Sequence, residues 1–255
     1  MNPIEVIKKD SNRLFVTSTI LFVSAMLTRN FPILAFIAFA PLFVLLDLLK
    51  GFNKSYPLVI VSVITGFSLY AITHENSILN ITIYALWVFL LFWSFAETQS
   101  HNQNVLNKFT LVIFMLGAEY IMIKYVPTKH IIFLADLLSQ KPEWTRWNMF
   151  TGYLGGSLWV LLANLLFYQA IFKTENVKKW VLLMGILLIV LPIIYSLNLS
   201  NLAITRMDMI ILYAGEGSEN TYSKNGELIS RTGAWVTVLI VIFTFVKNKT
   251  KRNHK

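Results

Sequence analysis

One acidic side chain and one amide lie inside otherwise apolar stretches of this sequence, and both are candidates for chemistry. Glu119 lies in FTLVIFMLGAEYIMIKYV, about 15 Å from the start of a predicted helix at 1.5 Å per residue. Asn164 lies in a later stretch, GSLWVLLANLLFYQ. A charge inside a membrane-spanning segment costs about 2.5 kcal/mol or more, so it marks a candidate functional site. If the two helices are antiparallel, Glu119 and Asn164 lie at similar depth and can form a hydrogen bond.

Two interpretations of Glu119 remain open at this point. In the first, the carboxylate lines a polar cavity that a lipid headgroup or a peptide enters. In the second, it only fixes helix packing, through Asn164 or through a snorkelling Lys124. Replacing Glu119 by Gln separates them, because only the first interpretation predicts lost activity with unchanged folding.

The sequence offers little other chemistry. It contains no Cys, which excludes a disulfide, a thiolate metal site and a thiol nucleophile. Its four His residues are scattered, without metal-ligand spacing. The acidic pair Glu216 and Glu219 is typical of a solvated loop. We therefore predict no catalytic residue, no metal site and no cofactor.

The composition predicts a membrane protein. Of the 255 residues, 56% are hydrophobic and only 14% are charged, which excludes an ordinary soluble domain. The net charge of +9 is explained by Lys and Arg on the cytoplasmic side of a membrane. No basic stretch carries a nucleic-acid-binding motif, so we predict no nucleic-acid partner.

Eight apolar stretches define the predicted architecture, an all-α polytopic membrane protein with about eight transmembrane helices in a single domain, 1–255. They span residues 14–28, 31–49, 57–73, 78–96, 109–126, 152–172, 180–197 and 232–247. If successive helices cross the membrane in opposite directions, 14 of the 22 Lys and Arg residues lie on the same side as both termini. That side is predicted to be the cytoplasm.

Two loops on the outer side are long, 125–151 and 198–231. The first carries Trp144 and Trp147 at the level where aromatic residues anchor helices to lipid headgroups. The second contains a strand-like run, Met209 to Tyr213, followed by a polar stretch.

Small residues recur along the stretch that follows the first long loop. Gly152, Gly156, Trp159 and Ala163 are spaced by four, three and four residues, so a helix would place them on one face. Such a face lets a neighbouring helix approach closely. A packing groove within one chain is a simpler interpretation than a dimer interface.

Four segments of the chain resemble the membrane part of bacterial apolipoprotein N-acyltransferase. They are FPILAFIAFAPLFVLLD (31–47), GAEYIMIKYV (117–126), PEWTRWNMFTGYLGGSLWVLLANLL (142–166) and YSKNGELISRTGAWVTVLIVIFTFVKNKTKR (222–252). The resemblance implies eight transmembrane helices with a nitrilase-like periplasmic domain between the seventh and the eighth. It also implies transfer of an acyl chain from phospholipid to a lipoprotein amine, through a thioester on a catalytic Cys assisted by Glu and Lys.

The reactive part of that family has no counterpart here. The loop 198–231 has only 34 residues, too few for a nitrilase-like domain, and the chain has no Cys to form the thioester. Loop 125–151 then corresponds to a periplasmic juxtamembrane loop, which departs from the family pattern at 127–138. No catalytic residue carries over, and the matching positions are Glu119, Trp144, Trp147, Gly152, Gly155, Gly156, Trp159 and Asn164.

The sequence therefore predicts a multi-pass protein of the bacterial inner (cytoplasmic) membrane that is acyltransferase-like but noncatalytic. Its predicted partners are a membrane lipid, a lipoprotein, or another membrane or periplasmic protein. The predicted binding residues are Glu119, Trp144, Trp147, Gly152, Gly156, Trp159 and Asn164. The alternative is the membrane subunit of a split lipoprotein N-acyltransferase whose catalytic subunit is a separate chain. A transporter or channel would need a polar path, and the helices offer few polar groups for one.

Overall fold

The computed structural model of the chain is built from helices. It describes residues 11–27, 32–48, 59–65, 107–125, 133–173, 177–203 and 231–243, together with 68, 82, 85–86, 88–90, 92–94, 205, 228–229 and 246. No strand is present among these residues. The α-helices include α1 (Ser11–Leu27), α2 (Ala35–Ala38), α3 (Ala40–Leu48), α4 (Asn107–Tyr125), α5 (Leu154–Phe167), α6 (Lys179–Leu197) and α7 (Arg231–Phe243), and residues 59–65 are also α-helical. The predicted all-α class is confirmed.

Helix α5 is the central element of the fold. It packs against α2, α3, α4 and α6. Its sequence is apolar on every side, which is typical of a helix that is buried all round. A single π-helical turn, Tyr168–Phe172, extends it at the C-terminal end.

Helix α6 is equally apolar, yet most of one face is exposed. Its large exposed side chains are Leu183, Met184, Ile186, Leu187, Val190, Leu191, Ile194 and Leu197. Within the described residues, Leu154–Phe172 and Lys179–Leu197 are the two helical segments long and apolar enough to cross a membrane. At 1.5 Å per residue, the 19 residues of α6 span about 28 Å, close to the thickness of a hydrocarbon core.

Helices α4 and α7 approach each other closely at Gly117. A Cβ atom at this position would lie 2.9 Å from the Ala234 Cα atom and 2.8 Å from Thr237 Oγ1. The Thr237 hydroxyl lies 3.2 Å from the Ile113 carbonyl across the contact, and 2.8 Å from the Gly233 carbonyl of its own helix. Only glycine therefore permits this approach.

Several helix boundaries differ from the predicted ones. The predicted helix 31–49 is divided into a 3-10 helix (Pro32–Leu34), α2 and α3. The predicted helix 152–172 begins two residues later, at Leu154. Much of loop 125–151 is folded as three 3-10 helices, Leu134–Leu138, Pro142–Trp144 and Arg146–Met149. The strand-like run at 209–213 lies outside the described residues.

Candidate functional site

Residues 133–150, here called the 3-10 segment, cover one end of the bundle. Their first turn is fixed by three side chains that accept hydrogen bonds from successive backbone N–H groups. Phe133 donates to Asp136 Oδ2 (2.7 Å), Leu134 to Glu119 Oε1 (2.8 Å) and Ala135 to Ser157 Oγ (3.0 Å). The first N–H groups of a helix have no partner within it, so these side chains act as caps. The caps join the segment to α4 and α5.

A second set of contacts joins the 3-10 segment to the end of α6. Arg146 Nη1 donates to the Leu199 carbonyl at 2.6 Å. The Trp147 backbone N–H donates to Ser196 Oγ at 3.1 Å, and Ser196 is fully buried. Because three different helices hold this segment, its position relative to the bundle is well defined.

Glycines connect the 3-10 segment to α5. Gly152 precedes the helix with φ of 76°, a left-handed conformation that glycine adopts without strain. A Cβ atom on Gly156 would lie 3.3 Å from Ala135 Cβ, so this residue lets Leu134–Leu138 pack directly on α5. The prediction that Gly152 shares a helical face with Gly156, Trp159 and Ala163 is therefore wrong, because Gly152 forms the turn into the helix.

A cavity of about 260 Å³ lies between the 3-10 segment, α5 and the chain that follows α6. Its lining residues are Ala135, Asp136, Leu138, Ser139, Pro142, Thr145, Asn148, Tyr153, Gly156, Ala203 and Thr205. Four of these, Asp136, Thr145, Asn148 and Tyr153, carry polar groups yet are more than nine-tenths buried. Among the described residues that line the cavity, none is Lys, Arg or His.

Hydrogen bonds between the lining groups fix their chemical character. The Tyr153 hydroxyl donates to Asp136 Oδ1, and the Ser139 hydroxyl donates to the Asp136 carbonyl at 2.6 Å. The Thr145 hydroxyl donates to the Pro142 carbonyl at 3.2 Å. Each hydroxyl has a single hydrogen, and these contacts use it. The Asp136 carboxylate, when ionised, is an acceptor only.

Asn164 does not pair with Glu119. Its amide is fully buried and makes four hydrogen bonds with backbone groups: Nδ2 donates to Ala35 O and Val160 O, and Oδ1 accepts from Phe39 N and Ala40 N. The expected pairing was wrong because the depths differ. Glu119 lies six residues before the end of α4, about 9 Å, whereas Asn164 lies ten residues into α5, about 15 Å.

Trp159 has a structural partner in α6. Pro192 lies inside that helix and has no N–H, so the Leu188 carbonyl four residues earlier lacks its usual donor. The Trp159 indole Nε1 donates to this carbonyl at 2.7 Å. The Trp147 ring packs edge-on against Trp159, with 5.5 Å between centroids.

Of the seven residues predicted to bind a lipid or partner, only Gly156 lines the cavity. Glu119, Gly152, Trp159 and Asn164 support the walls, as described above. Trp147 and Trp144 are half-buried within the 3-10 segment. Among the described residues, the predicted set therefore forms the framework around the cavity rather than its lining.

The prediction missed the polar lining, namely Asp136, Ser139, Thr145, Asn148, Tyr153 and Thr205. One signal was present in the sequence. Asp136 is an isolated carboxylate in the apolar run IIFLADLL. The acidic pair Glu216 and Glu219 and all four His residues lie outside the described residues. Within the described part of the chain, no three His, Asp or Glu side chains are grouped as metal ligands.

Replacing Glu119 by Ala is expected to loosen the 3-10 segment, whereas replacement by Gln is expected to be tolerated. Alanine leaves the Leu134 N–H without this acceptor, at a cost of about 1–3 kcal/mol, while the Gln side-chain oxygen can still accept. Hydrogen exchange of residues 133–138 by mass spectrometry measures the effect. Equal protection in the Ala variant and the unmodified protein would show that Glu119 does not cap this turn.

Comparisons with known proteins give no independent identification: no family model, no curated protein and no solved structure matches this chain.

Proposed function

We propose that this chain is a noncatalytic multi-pass protein of the bacterial inner membrane that binds a lipid, a lipoprotein or a membrane partner in the cavity under the 3-10 segment. The proposal includes about eight membrane-spanning helices with both termini in the cytoplasm. The cavity carries the proposal, because four buried polar side chains converge on it at one end of an apolar bundle.

The exposed apolar face of α6 supports the membrane part of the proposal. Large contiguous apolar surfaces are rare on soluble monomers and are typical of membrane or protein interfaces. Helix α7 also exposes large apolar side chains, namely Trp235, Leu239 and Phe243. Lipid chains packed against these side chains would shield them from water.

The resemblance to apolipoprotein N-acyltransferase supports the choice of ligand. The segment that carries most of that resemblance, 142–166, includes five of the lining residues: Pro142, Thr145, Asn148, Tyr153 and Gly156. In the family, the corresponding membrane part handles phospholipid and lipoprotein. The chain has no Cys for the family's thioester, which supports binding without acyl transfer.

Native mass spectrometry of the protein released from bacterial membranes tests this proposal. We expect a retained lipid or lipoprotein, and we expect Ala203→Phe to release it, because Ala203 lines the cavity and the added ring would fill part of it. Leu202→Phe is the matched control, since the neighbouring Leu202 side chain is 89% exposed and does not line the cavity.

Two results would count against the proposal. If the purified protein retains neither lipid nor protein, the proposal is wrong. If Ala203→Phe and Leu202→Phe retain the ligand equally, the binding site is not this cavity. Co-purification of a separate protein with a nitrilase-like catalytic Cys would instead favour the membrane subunit of a split acyltransferase.

A further inference from the structure

We infer that the end of the bundle opposite the cavity binds an anionic phospholipid, with the headgroup at Lys173, Lys178 and Lys179 and the acyl chains along the exposed face of α6. This inference rests on the membrane part of the proposed function and adds a second binding surface to it. Exposed lysines at one end of α6 and an apolar stripe that starts beside them carry the inference.

The connection between α5 and α6, residues 173–179, starts and ends far from the 3-10 segment. Helix α5 begins beside that segment, and the end of α6 is joined to it by the hydrogen bonds described above. The 19 residues of α6 therefore separate the connection from the 3-10 segment by about 28 Å. Backbone bonds fix both ends of the connection on α5: Lys173 N–H donates to Tyr168 O (3.1 Å) and Lys178 N–H to Ala170 O (3.0 Å).

The α5–α6 connection is positively charged. Its sequence, KTENVKK, contains three Lys and one Glu, so its net charge is +2. Lys173, Lys178 and Lys179 are all exposed, and two of them are adjacent in sequence. Like charges this close repel each other, and a negatively charged partner would offset the repulsion.

The opposite end of the bundle has no comparable excess of charge. The two chain segments that follow α4 and α6 there, 124–151 and 198–231, together contain seven basic and six acidic residues. Within the 3-10 segment, Lys141 Nζ lies 3.7 Å from Glu143 Oε1. Positive charge is therefore concentrated at the α5–α6 connection, which favours an anionic partner at that end.

An apolar stripe runs along α6 from the lysines towards the 3-10 segment. Its members recur at steps of four, three, four and three residues, so they lie on one face of the helix. All of them are exposed: Trp180, Met184, Leu187, Leu191 and Ile194. The stripe is about 21 Å long, more than half of a hydrocarbon core of about 30 Å, so it can contact the acyl chains of one leaflet.

The lysines and the stripe together specify the occupant. Trp180 is 80% exposed beside Lys179, which is typical of a residue at the level of lipid headgroups. A soluble anion would leave the stripe uncovered. A zwitterionic lipid would cover the stripe but would bring no net charge to the lysines. An anionic phospholipid satisfies both, and each lysine near an anionic headgroup is expected to strengthen binding about fivefold.

Two lipids with the same acyl chains and different headgroups test the inference. Binding of dioleoylphosphatidylglycerol and dioleoylphosphatidylcholine to the full chain in detergent is measured by native mass spectrometry. We expect the anionic lipid to bind at least fivefold more tightly, and we expect Lys178→Gln/Lys179→Gln to weaken its binding about tenfold while phosphatidylcholine binding stays within about twofold. Equal binding of the two lipids by the unmodified protein would overturn the inference.

Two further double variants separate local charge from other effects. Lys124→Gln/Lys141→Gln is the matched control, because it removes the same charge at the opposite end of the bundle, and we expect it to bind phosphatidylglycerol like the unmodified protein. An equal loss in this control would show that net charge alone determines binding. Lys178→Arg/Lys179→Arg keeps the charge and should keep the preference. A loss in this variant as well would assign the lysines a structural role and contradict the inference.

Ala203→Phe separates this surface from the cavity. Its added ring fills part of the cavity, so lipid bound to this variant reports on the rest of the protein. We expect the preference for phosphatidylglycerol to be unchanged. If the preference disappears in Ala203→Phe, the lipid lies in the cavity and the inference is wrong. If the unmodified protein shows no preference but Ala203→Phe still releases the native ligand, the inference fails and the proposed function survives.

Free sn-glycerol 3-phosphate distinguishes the phospholipid from a soluble anion. We expect it to displace phosphatidylglycerol only at concentrations at least about a hundredfold higher than those of the lipid, because it cannot contact the stripe. Displacement at similar concentrations would identify a soluble phosphate as the ligand and overturn the inference.

Discussion

Replacing Asn164 by Leu is expected to lower the free energy of unfolding by about 3 kcal/mol or more. The variant leaves three buried backbone groups without this partner, the Ala35 carbonyl and the N–H groups of Phe39 and Ala40, at about 1 kcal/mol or more each. In a regular helix Phe39 N–H would donate to Ala35 O. Here the Asn164 amide is inserted between these two groups, which is a known cause of helix breaks.

The α2/α3 break cannot simply close when Asn164 is lost. Pro41, the second residue of α3, has no N–H to donate to the Ile37 carbonyl, so a continuous helix would still lack one bond. A proline at this position is well tolerated only because the helix starts there.

Asn198→Leu is the matched control for Asn164→Leu. The Asn198 amide also donates to a backbone carbonyl, that of Ile194, but it lies on the surface, where water can replace it. Unfolding of both variants is followed by tryptophan fluorescence during titration with a denaturing detergent. If the two substitutions shift the transition equally, the Asn164 amide does not stabilise the break, and the packing of α2 and α3 alone maintains it.

The sequence predicted the helices well where the apolar pattern is long. Helices α4, α5 and α6 begin within two residues of their predicted positions. Long apolar runs determine helices because burial stabilises them regardless of which neighbour provides it. The 3-10 segment lacks such a pattern and was treated as a loop. It is held by caps from Glu119 and Ser157, and the sequence gives no sign of these tertiary contacts.

Most of the candidate residues make internal contacts and do not line the cavity. Asn164 is bonded to Ala35, 129 residues earlier in the chain, and Trp159 to the carbonyl of Leu188. Backbone groups carry no residue-specific signal, so a sequence cannot show that they are the partners. Pro192 gives the available hint: it removes a donor from a helix, and the Trp159 indole supplies the replacement.

Replacing Trp159 by Phe is expected to cost about 1–3 kcal/mol, and most of this cost is expected to disappear when Pro192 is replaced by Ala. The indole N–H is the donor for the Leu188 carbonyl, which Pro192 leaves without its helical partner. Phenylalanine cannot donate, so the carbonyl remains unsatisfied in Trp159→Phe. An alanine at 192 has its own N–H, which can restore the regular bond to Leu188.

A double-mutant cycle isolates this hydrogen bond from the loss of ring packing. Trp159 also contacts Phe36, with 4.6 Å between ring centroids, and that packing is lost equally with Pro or Ala at position 192. Its contribution therefore cancels in the coupling energy, which we expect to be about 1 kcal/mol or more in the unfolding titration. Leu191→Ala, on an exposed neighbour in α6, provides the control cycle and should be additive with Trp159→Phe. If the Pro192 cycle is as additive as the Leu191 cycle, the indole does not compensate for the proline. Trp159 then stabilises the helix pair through its ring alone.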